Sequence, residues 1–146
     1  MTTWLLDHGA DPNRQDVIDL TPLSCAVESA PMSIVHLMLN RDGDIKKGQL
    51  MLHAINRKSE AEAIELIKLF IAKGADIDAT MYQDHPFSWG MYFFGLGTVL
   101  HKAAELGKVQ VVSYLLATAA EHHQGCEWAY GVTKTRMKLQ TLRQAE

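Results

Sequence analysis

The chain has 146 residues, of which 47% are hydrophobic and 21% charged, a composition typical of one soluble globular domain. Its net charge is −3 and neither sign forms a long block, which argues against a nucleic-acid or anionic-membrane surface. The two distant cysteines argue against a secreted disulfide scaffold, and neither a secretory leader nor an apolar run of membrane length is visible in the sequence. We therefore expect a cytoplasmic or nuclear protein.

The chain repeats itself. The segment WLLDHGAD at residues 4–11 is echoed by LMLNRDGD at residues 37–44 and by LFIAKGAD at residues 69–76, at offsets of 33 and 32 residues. A second set of echoes comprises TPLSCAV at residues 21–27, QLMLHAI at residues 49–55 and TVLHKAA at residues 98–104. Self-similarity at this period is typical of repeat architectures.

These residues resemble the ankyrin repeat, with its period of about 33 residues, its T-P-L-H-x-A signature and its Gly-Ala-Asp turn after a Leu-Leu pair. The resemblance covers residues 4–120, and the best copy begins at Thr98. It implies an all-α solenoid of about three degenerate repeats, in which helix-turn-helix units stack and hairpin loops, the fingers, project from one side. We expect an ankyrin-repeat domain at 1–120 and a degenerate cap or tail at 121–146.

The N-terminal Trp4, Leu5 and Leu6 align with the end of a repeat's second helix, so the first helix of that repeat is missing. A solenoid end normally carries a polar cap. Either the chain is a fragment or a regulatory or targeting segment of a larger ankyrin-containing polypeptide, or this apolar end docks on another chain, which includes self-association.

The first finger follows that segment. By analogy with the family, a protein partner contacts the fingertips, which assigns partner binding to Arg14, Gln15, Asp16 and Val17. The turns before the first and third fingers need a left-handed backbone, which Gly9 and Gly74 accept.

Apolar residues recur at helical spacing in residues 33–39 and 61–71, which predicts two amphipathic helices. Small alanines at positions 26, 54 and 103 would let paired helices approach closely. Cys25 is expected to be a small buried hydrophobe. Glu60, Glu62 and Glu65 are expected to form a solvated acidic turn at the start of a helix.

Two spacings between the alanines of the echoes differ from the repeat period of about 33 residues, and both change the predicted fingers. The spacing of 28 between Ala26 and Ala54 indicates a shortened second finger at residues 45–48, which leaves a notch. The spacing of 49 between Ala54 and Ala103 indicates an insertion at about residues 80–96.

The insertion holds six of the chain's eleven aromatic residues: Tyr82, Phe87, Trp89, Tyr92, Phe93 and Phe94. Aromatic side chains are enriched at interface hot spots, which makes these six candidate partner-binding residues. They could equally fold back and pack on the notch as a local core, and the two roles are compatible.

Candidates for chemistry are weak. His101 occupies the histidine position of the family signature, where it is expected to hydrogen-bond the backbone of the turn. His122, His123 and Cys126 are zinc-ligand types without a matching second cluster, so a zinc-dependent enzyme is the least favoured alternative. We therefore expect a non-enzymatic protein-interaction module with no catalytic residue, no metal and no cofactor, and with a protein partner rather than nucleic acid or membrane.

Overall fold

A computed structural model describes residues 1–81 and 97–122, with side chains as far as residue 119. Seven α-helices and no β-strand are present in these two ranges, in agreement with the all-α prediction. In chain order they are α1 (Thr2–Asp7), α2 (Pro22–Ser29), α3 (Met32–Leu39), α4 (Leu50–Ile55), α5 (Glu60–Ala72), α6 (Val99–Glu105) and α7 (Val109–His122).

After α1 the helices form three consecutive pairs. Within the pairs, α2 packs on α3, α4 on α5 and α6 on α7. Between the pairs, the first helices α2, α4 and α6 contact one another in order, and α5 contacts α7. Each pair therefore packs against its neighbours in the sequence.

Small side chains lie where the helices approach. Ala26, Ala54 and Ala103 are buried, as the echoes in the sequence predict, beside a core that includes Leu23 and Phe70. Burying this apolar surface supplies the main stabilisation of short helices that would be marginal alone. Cys25 does not join the core. The prediction that it is buried was wrong, because its side chain lies on the exposed face of α2, between the buried Ser24 and Ala26.

Local sequence sets the helix ends. Thr21 and Ser24 form a capping box at the start of α2, with Pro22 in the first helical position, where proline is favoured. Gly9 and Gly74 have φ angles of +87° and +92°, which confirms that both turns use the left-handed backbone predicted for them.

The connections that lead into α2, α4 and α6 are the fingers. The first finger comprises residues 8–21, the second residues 40–49, and the third begins at residue 73 and ends at residue 98, with residues 73–81 and 97–98 described. Thr80 and Thr98 form an antiparallel bridge, so the two described arms of the third finger lie side by side.

The short second finger packs tightly against the preceding helical pair. A Cβ at Gly48, whose φ is +73°, would lie 2.7 Å from Oγ of Ser24, and one at Gly43 would lie 2.8 Å from the carbonyl oxygen of Met38. Both distances are below van der Waals contact, so only glycine allows this close approach.

Candidate functional site

A concave cavity of about 310 Å³ lies among the three fingers, at the position where the sequence predicts a gap above the shortened finger. We call this cavity the notch. Its lining comes from the first finger (Asp19), the second finger and α4 (Ile45, Lys46, Gln49, Leu50, Met51, Leu52), and the third finger with α6 (Gly74, Ala75, Asp76, Ala79, Thr80, Val99).

The notch is apolar along α4 and the third finger and carries acid at both sides. Leu50 and Val99 are buried core residues whose surfaces reach its wall. Two carboxylates, those of Asp19 and Asp76, line it, against the single ammonium group of Lys46. The volume is at the low end of that of ligand pockets, so it fits one or two side chains and not a folded element.

Hydrogen bonds fix the side of the notch formed by the first finger. Asp19 is only 7% exposed, and its Oδ1 accepts from the backbone N–H of Gly48 (3.1 Å) and from Nε2 of Gln15 (2.6 Å). Asp19 and Gln49 both have positive φ angles, of 61° and 49°, which aspartate tolerates better than most residues. The first and second fingers are thus locked to each other across the floor of the notch.

The predicted contacts on the first finger lie at its exposed tip. Arg14, Gln15 and Asp16 are exposed, and Val17 is 65% exposed beside the exposed Ile18. Asp16 also shapes this tip, because its Oδ1 accepts from the backbone N–H groups of Ile18 (2.9 Å) and Leu20 (2.8 Å). The tip is therefore an ordered, accessible surface with an apolar centre.

The aromatic insertion lies outside the described residues. This applies to all six predicted binding residues: Tyr82, Phe87, Trp89, Tyr92, Phe93 and Phe94. The residues that flank the insertion are described, and they are hydrogen-bonded to each other: the N–H of Met81 donates to the carbonyl oxygen of Gly97 (3.0 Å). The insertion therefore leaves and re-enters the third finger at one point, next to the wall of the notch at Thr80 and Val99.

A second accessible apolar surface lies at the N-terminal end. Trp4 is 59% exposed and Leu5 is 42% exposed, while Leu6 packs against the core. The Trp4 ring stacks on His8, with centroids 4.0 Å apart, and Arg41 pairs with Asp7 to hold α1 against the end of α3. Helix α1 thus presents its other face to solvent.

Polar ties between the helical pairs are the feature that the sequence did not reveal. Nδ2 of Asn13 donates to the carbonyl of Asp42 (2.7 Å), and its Oδ1 accepts from the N–H of Asp44 (2.7 Å). The buried Arg57 donates to the carbonyls of Val27 (2.6 Å) and Ala30 (2.8 Å). The one feature of the sequence that could have indicated these contacts is position. Asn13 and Arg57 both lie in the connection after a helix, where a side chain can reach the neighbouring unit.

A histidine and a carboxylate pair across the first two helical pairs. Nδ1 of His53 donates to Oε2 of Glu28 (2.7 Å), and Asn56 adds a longer contact (3.4 Å). The hydrogen bond from His53 is the main cause that lowers the pKa of Glu28 below its ordinary value, against a smaller opposing effect of burial. His53 thus joins the first two helical pairs.

The residues considered for chemistry have structural partners. Nδ1 of His101 accepts from the backbone N–H of Thr98 (3.2 Å), which confirms the expected bond to the turn. Glu60 was expected to be solvated, but its Oε2 accepts from the N–H groups of Gln110 (2.9 Å) and Val111 (3.2 Å) at the start of α7. The sequence missed this because the two segments lie about fifty positions apart.

In the described part of the chain, no three His, Cys, Asp or Glu side chains are grouped so that they could hold a metal ion. The zinc candidates lie beyond it: His123 and Cys126 are outside the described residues, and only the backbone of His122 is described. Across residues 1–81 and 97–122, every helix is too short or too polar to cross a membrane.

Comparison with known proteins gives one partial similarity. The chain is 34% identical over 73 residues to the transient receptor potential channel pyrexia of Drosophila melanogaster. This segment is 49% of the present chain and 8% of the channel, so the chain spans a small part of that relative. No protein-family model and no solved structure matches the chain.

Proposed function

We propose that the chain is an ankyrin-repeat module that binds a protein partner without catalysis, through its fingertips and the notch. The echoes at offsets of 33 and 32 residues support the repeat assignment, and so do three helical pairs that pack in sequence order. The notch is the observation that carries the proposal, because three consecutive fingers enclose a concave, partly apolar surface that residues 1–81 and 97–122 leave open.

Site-specific photocrosslinking tests this function directly. A photoreactive phenylalanine analogue replaces Val17 at the fingertip in the full chain, which is exposed to native cell extract and irradiated. We expect a discrete covalent adduct with a protein. The same probe at Glu65, an exposed position of α5 away from the notch, is the matched control and should give no such adduct.

A second variant links the adduct to the proposed surface. Ile18→Ser introduced beside the probe should abolish the adduct while leaving the helical circular dichroism unchanged, because Ile18 is exposed on the first finger and lies outside every helix. Equal crosslinking at positions 17 and 65, or an adduct that survives Ile18→Ser, would contradict binding by the fingertip.

We also propose, from composition, that the aromatic insertion contributes to binding. Aromatic side chains dominate interface energetics, and the insertion's ends lie beside the notch. Replacing residues 82–96 by a short Gly/Ser hairpin in the Val17 probe chain should weaken the same adduct at unchanged helicity. An undiminished adduct would assign the aromatic residues to packing.

A second candidate function rests on the N-terminal end and on the comparison. The exposed Trp4 and Leu5 suit a segment that packs against further protein, and half of the chain is similar to a segment of a much longer channel. The chain would then act as a regulatory or targeting segment within a larger polypeptide. Such a segment, when isolated, should self-associate through its exposed apolar end.

A further inference from the structure

We infer that the notch is a side-chain pocket for a basic, extended peptide segment of the partner, in which a large apolar side chain enters the cavity and a neighbouring lysine or arginine meets its acidic walls. This inference rests on the proposed binding function and specifies the chemistry of the partner at that site.

The volume and the lining select the apolar side chain. A cavity of about 310 Å³ is too small for a helix, whereas it holds a side chain the size of leucine or phenylalanine together with adjoining backbone. The apolar residues Met51, Leu52 and Val99 line it from two successive helical pairs. Removing a large apolar side chain from water into such a pocket favours binding in proportion to the apolar area buried.

The charges of the fingers select the cation. The described parts of the first and third fingers, which form the two side walls, contain five aspartates, namely Asp11, Asp16, Asp19, Asp76 and Asp78. Arg14 and Lys73 are their basic residues, so the two walls together carry a net charge of −3. Lys46 lies on the floor, and the carboxylates in the lining outnumber it. An acidic groove attracts and orients basic segments.

The carboxylate of Asp19 is held in a fixed position at the wall of the notch, where it can bind the cation. Asp19 is more than nine-tenths buried, yet it reaches the wall of the notch, and both of its neutral donors bind Oδ1. A carboxylate removed from water gains more from an added cation than an exposed one does. Because Gly48 and Gln15 already hold this group in place, the pocket is formed before the partner arrives, which lowers the entropy cost of binding.

Selection from a peptide library tests the inference without knowing the partner. The full chain is immobilised and panned against random linear dodecapeptides, and enriched peptides are synthesised with a fluorophore for anisotropy titration. We expect enriched sequences with a large apolar residue within two positions of Lys or Arg. Their Kd should rise at least threefold between 50 and 300 mM NaCl, because salt screens the acidic walls.

Three variants of the full chain locate the binding. Ala79→Trp fills the notch and should weaken the peptide at least tenfold, whereas Ala72→Trp, at the exposed end of α5, should change Kd less than twofold. Asp19→Asn keeps the oxygen that accepts from Gly48 and should weaken binding at least threefold. The matched control is Asp42→Asn, which removes a finger charge outside the lining and should have a smaller effect.

Several results of these experiments would contradict the inference. Acidic or purely polar consensus peptides, no enrichment at all, or equal binding to the Ala79→Trp chain would overturn the inference. Enrichment only after residues 82–96 are replaced by Gly/Ser would overturn it too and assign the notch to the chain's own insertion. Crosslinking at Val17 that persists in the Ala79→Trp chain would leave the binding function standing while this pocket fails.

Discussion

The side-chain amide of Asn13, in the first finger, uses both of its polar atoms to bind the second finger. Nδ2 donates to the carbonyl oxygen of Asp42, and Oδ1 accepts from the N–H of Asp44. Buried or half-buried backbone groups need such partners, and an amide is the side chain that can both donate and accept. The first and second fingers therefore keep a fixed spacing, which holds one side wall of the notch at a fixed position relative to its floor.

Glu28 is the residue whose contact makes stability depend on pH. Its pKa is lowered in the folded chain, so the unfolded chain binds the proton more readily. The pair with His53 therefore stabilises the fold above the ordinary pKa of a glutamate, about 4.3, and this contribution is lost as the pH falls through the lower folded pKa. We expect Glu28→Gln to reduce the loss of unfolding free energy between pH 5 and pH 3.

Urea titrations at half-unit pH steps measure that slope. Because the Glu28 side chain is 42% exposed, solvent screening limits the difference between wild type and Glu28→Gln to about 0.5 kcal/mol. Glu65→Gln removes an exposed carboxylate from α5 and serves as the control. Identical slopes for wild type and Glu28→Gln would show that the hydrogen bond to His53 contributes nothing in solution.

At the scale of the helices, α7 begins on a carboxylate from another pair. The first N–H groups of a helix have no partner within it, and Glu60 at the start of α5 accepts two of them, from Gln110 and Val111. A negative charge at a helix N-terminus is also favoured by the helix dipole. Glu60 therefore acts for α7 as a capping residue that its own sequence lacks.

Glu60→Ala should lower the free energy of unfolding by about 1–2 kcal/mol, because two backbone donors lose their acceptor. Chemical denaturation followed by circular dichroism measures this change. Glu60→Gln retains an acceptor oxygen and should recover part of the loss, while Glu65→Ala, one turn further along α5 and exposed, should have little effect. A full loss in Glu60→Gln would assign the effect to charge alone, and no loss in Glu60→Ala would exclude the cap.

The helices were predictable where local pattern determines them. Apolar spacing located α3 and α5, and the echoes placed the buried alanines and the glycine turns, because each of these follows from a few neighbouring residues. Cys25 was misjudged because a helix of eight residues is buried on one side only, and a single-residue rotation decides which side. The contacts of Glu60 and Arg57 depend on residues far along the chain, which no local pattern contains.

The site was predictable in outline only. The spacing of the alanines located the notch, since a missing stretch of finger must leave a gap, and analogy placed Arg14 to Val17 at an exposed tip. Its acidic character was not predicted. The charge of Asp19 matters because it is buried against Gly48 and Gln15, and burial depends on tertiary packing.

For the molecule as a whole, the apolar N-terminal end predicts concentration-dependent self-association. Trp4 and Leu5 are exposed on a helix that buries no residue fully, and exposed apolar surface of this kind favours contacts between chains. Sedimentation velocity at rising concentration should show association of the wild type and a monomer for Trp4→Ser/Leu5→Ser. Leu106→Ser, which removes an exposed leucine elsewhere, is the control.

A wild-type chain that stays monomeric at high concentration would contradict this expectation and the second candidate function with it. Association that persists in Trp4→Ser/Leu5→Ser but disappears in Leu106→Ser would place the contact at another surface.

The contacts of Arg57 affect how the three helical pairs respond to heat or to a pulling force. Its guanidinium holds the carbonyls of Val27 and Ala30 in the preceding pair, and its own carbonyl accepts from Nζ of Lys108 in the following one. Structural units that pack on their neighbours in sequence gain cooperativity from such contacts. Loosening the middle pair therefore releases both flanks at once, so the three pairs are expected to melt together, and to yield to a pulling force as one unit rather than peel away singly.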